Sequence, residues 1–445
     1  MTIATAAARL RAGTLTSLDL VDTSLRAIDA LNGQTHAFIR VDAEGARAAA
    51  RQADAERASG RDRGPLHGIP ISIKDLIDVE GEPTTAASRV LADRIAPADA
   101  PVITRLREAG AVLLGKTNLH EFALGTTSED SAFGAVRHPR DLDRSPGGSS
   151  GGSAVAVATG MGLASVGSDT GGSIRIPSSC CGLVGLKPTY GEVPTDSVVP
   201  LSVSLDHVGP IALTVQDAAW LWAALAGEPP AIVAPSAASS MHLRHIDGYF
   251  SLMAADVRAA FDAALTTLRA AGAQIVTGDV EMTDVIGRTY VNVVLPEAAA
   301  WHAKYLDTRG SSYTPAVRAR IESGRGIPAV DYLAALDARV ALRRAVDAAL
   351  EGCDALVLPT LPITAPLIGG TDVTLDGRRR ETMAVRAAML RNTQLFNLTG
   401  HPAISLPLRS DGLPVGLQLV GRAGKTAWLL AIAAACEKIV CPALE

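Results

Sequence analysis

Two serine-bearing glycine loops lie close together in this chain, Pro146-Gly-Gly-Ser-Ser-Gly-Gly-Ser153 and Gly167-Ser-Asp-Thr-Gly-Gly-Ser173. No other feature constrains the backbone as strongly. Glycine clusters let a chain turn tightly and aim consecutive N–H groups at one point. A hydroxyl beside such N–H groups is placed to attack a carbonyl carbon, and the N–H groups can hold the oxyanion that forms. The loops therefore point to acyl transfer by a serine nucleophile. They leave open which serine attacks and which base activates it.

The rest of the chain can support such a site. Its 445 residues are 48% hydrophobic and 20% charged, ample for a large core and unlike a disordered chain. The net charge of −5 favours neither nucleic acid nor an anionic membrane as a partner. The cysteines (Cys180, Cys181, Cys353, Cys436 and Cys441) are odd in number and have no metal-binding spacing. They read as free thiols of a reducing cytoplasm. Met1 to Leu10 lacks the apolar core of a secretory leader, and the apolar run Ala427 to Cys436 is too short to span a bilayer.

Helix and strand patterns interleave. Leu18, Val21, Leu25, Ile28 and Leu31 recur at helical spacing, with Thr16 or Ser17 as N-cap and Asn32-Gly33 as the expected stop. Val257, Phe261, Leu265 and Leu268 mark a second helix. Leu333, Leu336, Val340 and Leu350 mark a third, ending near Gly352. Strands are expected at Gln274–Val276 and Ala355–Leu358. Two more, Ala403–Leu408 and Val415–Val420, flank an Asp411-Gly412 hairpin turn. The stretch from about 228 to 245 has no clear period and reads as a long surface loop. The fold class is α/β: a single domain over 1–445 with a mixed, twisted sheet covered by helices on both faces.

Three kinds of group compete for the site chemistry. Gly147-x-Ser149-x-Gly151 matches the nucleophile-elbow pattern, with His401 as its best candidate base. That pattern needs a preceding strand, and Arg137 to Arg144 is polar and contains Pro139. Cys180 and Cys181 follow the second loop, but no histidine or cation adjoins them in sequence, so a packing role is expected. Lys74 is the third. In Gly68-Ile-Pro-Ile-Ser-Ile-Lys74-Asp75, alternation puts Ile69, Ile71 and Ile73 on one face and Pro70, Ser72 and Lys74 on the other. In a sheet covered on both sides Lys74 would be desolvated, which lowers a lysine pKa and leaves a neutral amine able to act as base.

Taken together, Gly68–Asp75, Gly147–Ser153 and Asp169-Thr-Gly-Gly-Ser-Ile-Arg175 resemble the amidase signature family. The interval between Ser149 and Ser173 fits as well. So do Gly115-Lys-Thr-Asn118, Gly182–Thr189 and Gly412-Leu-Pro-Val-Gly-Leu-Gln-Leu-Val-Gly421. The core motifs fall within 68–210, and the resemblance extends from about residue 10 to 440. It implies a Ser–Ser–Lys triad: Ser173 as nucleophile, Ser149 as the bridging serine after a cis peptide bond from Gly148, and Lys74 as terminal base. It implies an oxyanion hole from the N–H groups of Thr170, Gly171, Gly172 and Ser173. Ser150, Asp169 and Arg175 would brace the loops. No metal or cofactor is expected.

The resemblance implies an amidohydrolase acting on a small-molecule amide. One branch of the family, the glutaminase component of glutamyl-tRNA amidotransferase (its A subunit), carries an acid just before an Asn-Leu-x-Gly-x-Pro run to hold the substrate ammonium. Here that run is Asn397-Leu-Thr-Gly-His-Pro402, and Met389 to Phe396 contains no carboxylate. A stand-alone amidase is therefore the first expectation. The alternatives are that glutaminase or an allophanate-like ureido hydrolase, and a non-catalytic assembly subunit is the reading from another class. A homodimer is left open. The segment from about 284 to 332 concentrates aromatics and is the expected substrate side, with Arg318 or Arg320 as candidate partners for a substrate carboxylate.

Overall fold

Seven strands of this chain are buried at every position, a pattern that only a sheet covered on both faces produces. The computed structural model describes residues 1–376 and 380–441, so residues 377–379 and 442–445 of the expected 1–445 domain lie outside the described residues. In chain order the strands are β1 (Phe38–Val41), β2 (Pro70–Lys74), β3 (Val112–Thr117), β4 (Ala164–Ser168), β5 (Val184–Lys187), β6 (Val208–Ala212), β7 (His242–Ile246), β8 (Gln274–Gly278), β9 (Ala355–Pro359), β10 (Asp372–Asp376), β11 (Arg380–Ala384), β12 (Ala403–Leu408) and β13 (Val415–Val420). Eleven of them form one sheet in the order β1-β3-β2-β4-β6-β5-β12-β13-β9-β7-β8, while β10 and β11 pair separately. The large sheet is mixed: β2 runs parallel to both β3 and β4, whereas β12 runs antiparallel to β5 and β13. Its edges, β1 and β8, are partly exposed, and its centre is the core.

The α/β class and the mixed sheet flanked by helices are as expected, and β12 and β13 pair across the Asp411-Gly412 turn. Two local expectations need correction. The first helix starts as expected, with a reciprocal Thr16–Asp19 capping box, but it runs through Asn32-Gly33 to Thr35. Asn32 is not a stop. Its amide accepts from Phe38 N at 2.7 Å and donates to Phe38 O at 3.2 Å, fastening β1 to the helix, and the left-handed turn falls at His36 instead. The stretch expected as one loop to residue 245 contains β7, which pairs parallel to both β9 and β8. Only Leu243 and Ile246 of β7 are buried, so its apolar signal is too thin to stand out in sequence.

Candidate active site

The site forms where the parallel strands β2 and β4 end side by side. Their register pairs Ile73 with Val166, so the next residues outward bring Lys74 and the end of β4 together. Lys74 Nζ donates to Ser149 Oγ at 2.7 Å and to Ser168 Oγ at 2.8 Å. Its side chain is fully buried, and burial pushes its pKa down to about 7 against the pull of Asp169 and Asp206. The neighbouring Lys116 differs: it is ion-paired with Asp75 at 3.0 Å. Among the described residues Lys74 meets hydroxyls and no carboxylate at hydrogen-bond distance, which is the setting for a neutral amine.

Ser149 follows a cis peptide bond from Gly148 and leads into the helix Gly151–Ala158. Gly148 is packed against Ser128 and the Thr126 carbonyl region, where a Cβ would collide. The two glycine loops are joined by Ser150 N donating to Ser173 O at 3.2 Å, and by Ser150 Oγ donating to Ser168 O at 3.2 Å. Among the described residues no hydrogen bond joins the Ser149 and Ser173 hydroxyls.

Beyond β4, the loop 169–173 turns its amides to one side. The N–H groups of Thr170, Gly171, Gly172 and Ser173 have no protein acceptor among the described residues, whereas those of Ile174 and Arg175 are taken by Asp169 Oδ2. Thr393 Oγ1 donates to Gly171 O at 2.6 Å and holds that carbonyl away from the free amides. Gly172 has φ +141°, and a Cβ there would run into Thr393 Oγ1; one at Gly171 would run into the Tyr290 hydroxyl. The outcome is a row of unused donors beside a hydroxyl, Ser173, that is itself 5% exposed.

A buried ionic network fixes this loop. Arg175 binds Asp169 through Nε (3.0 Å) and Nη2 (2.9 Å), then reaches Asn397 Oδ1 (2.6 Å) and Gln418 Oε1 (2.7 Å). Burial by itself would raise the Asp169 carboxyl. The Arg175 charge and its hydrogen bonds outweigh that and hold it well below the usual carboxylate range. Asp206 accepts from Thr170 Oγ1 at 2.5 Å and from Leu201 N at 2.9 Å, and burial pushes its pKa up to about 6.

The structure thus brings Lys74, Ser149, Ser150, Asp169 to Ser173 and Arg175 into one place. Sequence reasoning gave no role to Ser168, Asp206, Thr393, Asn397 or Gln418. For three of these a signal existed: Ser168 lies within the quoted Gly167–Ser173 loop, and Asn397 and Gln418 lie within the quoted Asn397–Pro402 and Gly412–Gly421 runs. Tyr290 falls in the aromatic segment expected on the substrate side. The rival groups lie elsewhere. His401 is bound to Thr399 Oγ1 (3.0 Å) and Asp347 Oδ1 (2.9 Å), and burial pushes its pKa down to about 4. Cys180 and Cys181 are buried, and burial pushes the Cys180 thiol up to about 12 and that of Cys181 well up too, which suits packing and not attack. In the aromatic segment, His302 bonds Tyr313 Oη (2.8 Å) and stacks edge-on with Phe122. Arg318 pairs with Glu322 at the surface, and Arg320 donates to Leu124 O.

A buried lysine on a serine, an adjacent loop of free amides and a second serine on that loop define the equipment of an amide hydrolase. The chain belongs to the amidase family, whose model matches residues 19–430. It is 39% identical to the A subunit of glutamyl-tRNA(Gln) amidotransferase from Roseiflexus castenholzii, over 99% of this chain and 96% of that one. A crystal structure of an amidase superimposes with a TM-score of 0.93 at 38% identity, covering 99% and 100% of the two chains. A chain from a vestigial protein complex, described as revealing the origins of an s-triazine catabolic enzyme, superimposes with a TM-score of 0.90 at 33% identity, covering 98% of each. Among the described residues no helix is long and apolar enough to cross a membrane.

Proposed function

We propose that Ser173 hydrolyses a carboxylic amide through an acyl-enzyme, with Ser149 and Lys74 as its proton relay. The observation that carries this reading is the 2.7 Å bond from a desolvated Lys74 to Ser149, beside amides that no protein group among the described residues occupies. Neutral Lys74 accepts a proton from Ser149 as Ser149 takes one from Ser173. The Ser173 oxygen bonds to the amide carbon, and the carbonyl electron pair moves onto oxygen, where the N–H groups of residues 170–173 meet it. Each such donor is worth about 3–4 kcal/mol in comparable sites. The relay returns the proton to the amide nitrogen, the C–N bond breaks, and ammonia or an amine leaves. Water then repeats the sequence on the ester and releases the acid. The relay requires the Ser149 and Ser173 hydroxyls to meet; catalytic hydrogen bonds commonly tighten only in the substrate complex.

Two readings of the substrate share this chemistry. The curated relatives favour the glutaminase of an amidotransferase, in which glutamine is the amide and ammonia is passed on within an assembly; by amino-acid likeness it is the better supported of the two. A stand-alone amidase is favoured by one observation, the lack of any carboxylate from Met389 to Phe396, the stretch whose Leu390 side chain packs against Gly171. Ammonia release is the test, measured for wild type and Ser173→Ala over glutamine, asparagine, short dicarboxylic monoamides, aromatic amides and simple aliphatic amides. Release by wild type alone supports the mechanism. Release from none of them, with no labelling of Ser173 by a fluorophosphonate, would refute it.

A further inference from the structure

Among the described residues, Arg386 is the one half-buried arginine beside this site whose charge is unspent. It lies on the helix Val385–Arg391, and among the described residues its guanidinium has neither ion-pair nor hydrogen-bond partner. Its neighbours in the same part of the fold are committed: Arg175 to Asp169, Arg391 to Tyr249 O at 2.8 Å, Arg320 to Leu124 O at 3.2 Å. The side chain is only half-buried, so its guanidinium can meet a ligand, and what burial there is pushes its pKa below the ordinary value. A group kept in that state is available to a ligand.

Its position relative to the reacting centre follows from the helix. Leu390 comes one turn after Arg386, so the two share a face. The Leu390 side chain is 2.9 Å from where a Cβ of Gly171 would stand, and the Tyr290 hydroxyl closes on the same point. Arg386 is therefore one helical turn, roughly 6 Å, from the side chain that packs on the candidate oxyanion loop. Tyr290 packs on that loop at Gly171 and lies within reach of the charges of both Arg386 and Asp169. Of the acids nearby, Glu121 accepts from Ser88 and Thr314, and Asp206 accepts from Thr170. From Val385 to Phe396, the stretch that carries Arg386 and Leu390, there is no carboxylate for a substrate ammonium, and Arg320 adds a second cation within reach of Arg386.

We propose that the acyl subsite takes a short amide whose acyl chain ends in a carboxylate and carries no ammonium group, and that Arg386 binds that carboxylate. A short-chain dicarboxylic monoamide such as succinamate carries the two groups that the loop and Arg386 would take, an amide at one end and a carboxylate at the other. The inference rests on the amidase reading of the site.

The test is ligand binding to Ser173→Ala protein by calorimetry, alongside ammonia release by protein with Ser173 intact. The ligands are succinamate, glutamine and butyramide. Succinamate is expected to bind at least tenfold more tightly than either of the others. Arg386→Gln is expected to weaken succinamate at least 30-fold and so collapse its preference over butyramide, and Arg386→Lys to restore part of it. Equal binding of glutamine and succinamate, equal binding of butyramide, or a preference that survives Arg386→Gln would each overturn the proposal. The wild-type preference tests it even where a variant folds poorly. Succinamate bound through Arg386 with no ammonia released from any amide would instead count against the Ser173 mechanism and leave the carboxylate subsite standing.

Discussion

Around Lys74 and Ser173, nearly every polar side chain is fully buried and bonded to another part of the chain. Across from them, the helices Ile286–Arg309 and Val385–Arg391 present Tyr290, Leu390 and an Arg386 without a partner among the described residues. The first region is closed on itself: Arg175 has five polar contacts through its side chain, and Asp169 accepts at both oxygens. The second offers a cation that no protein group pairs with among the described residues. The difference separates two tasks. A reaction common to many amides needs rigid, preorganised donors, while choice among amides needs groups whose partner is the substrate.

The strongest way to break this division is to remove the reactive groups. Ser173→Ala is expected to lower kcat by about 10³-fold or more on every amide turned over, and Lys74→Met by a comparable factor, because the members of such a relay act as a unit. A Lys74→Met enzyme with near-normal turnover would place the base elsewhere. The next effect is on stability. Asp169→Asn removes the counter-ion of a fully buried Arg175 and is expected to cost about 3–5 kcal/mol in chemical denaturation, with kcat falling as the loop loosens. A change under about 1 kcal/mol would show that Asn397 and Gln418 suffice to hold the guanidinium.

Why the closed region was legible and the open one was not follows from chain distance. Lys74, the two glycine loops and Arg175 are recognisable because each motif is local, and tight turns dictate glycine at fixed places. Gly172 shows it: φ +141° and the nearby Thr393 leave no space for a side chain. The open face is assembled from residues far apart in sequence. Tyr290, Leu390 and Arg386 sit on ordinary helices, and nothing local distinguishes a tyrosine that packs on the loop from one that fills a core. Arg318 and Arg320 drew attention in sequence for the same reason that Arg386 did not: they stand among aromatics, and only packing shows which guanidinium lacks a partner. The strand β7 was lost similarly, since it is defined by the neighbours it pairs with and not by its own weak alternation.

The pH profile sharpens the first region. Only the neutral amine of Lys74 can accept a proton, and burial sets its pKa near 7 in place of the ordinary 10.5. Below that pKa the neutral fraction falls about tenfold per unit, so kcat/KM should drop with it through the acid range and level off above about pH 8. A rise that continued to about pH 10 would mean that Lys74 is solvated in the working enzyme. A profile flat through the acid range down to about pH 5 would remove it as the base.

The smallest expected effect bears on the second region. Arg318 pairs with Glu322 at 2.8 Å, one turn apart on the helix Pro315–Gly324, and both side chains are 45% exposed. An exposed pair of this kind contributes at most about 0.5 kcal/mol, because solvent and salt screen it and two long side chains must be ordered to make it. Arg318→Ala should therefore leave stability within that margin and leave KM for an anionic amide unmoved. The same measurement on Arg386 should show a loss confined to substrates with a carboxylate. If Arg318→Ala raised KM for succinamate as strongly as Arg386→Gln, the carboxylate would be read by the general positive field of this helical wall. If only Arg386 matters, recognition depends on a single guanidinium kept free by its surroundings, and the contrast between the closed and open halves of the site is a division of labour at the level of individual side chains.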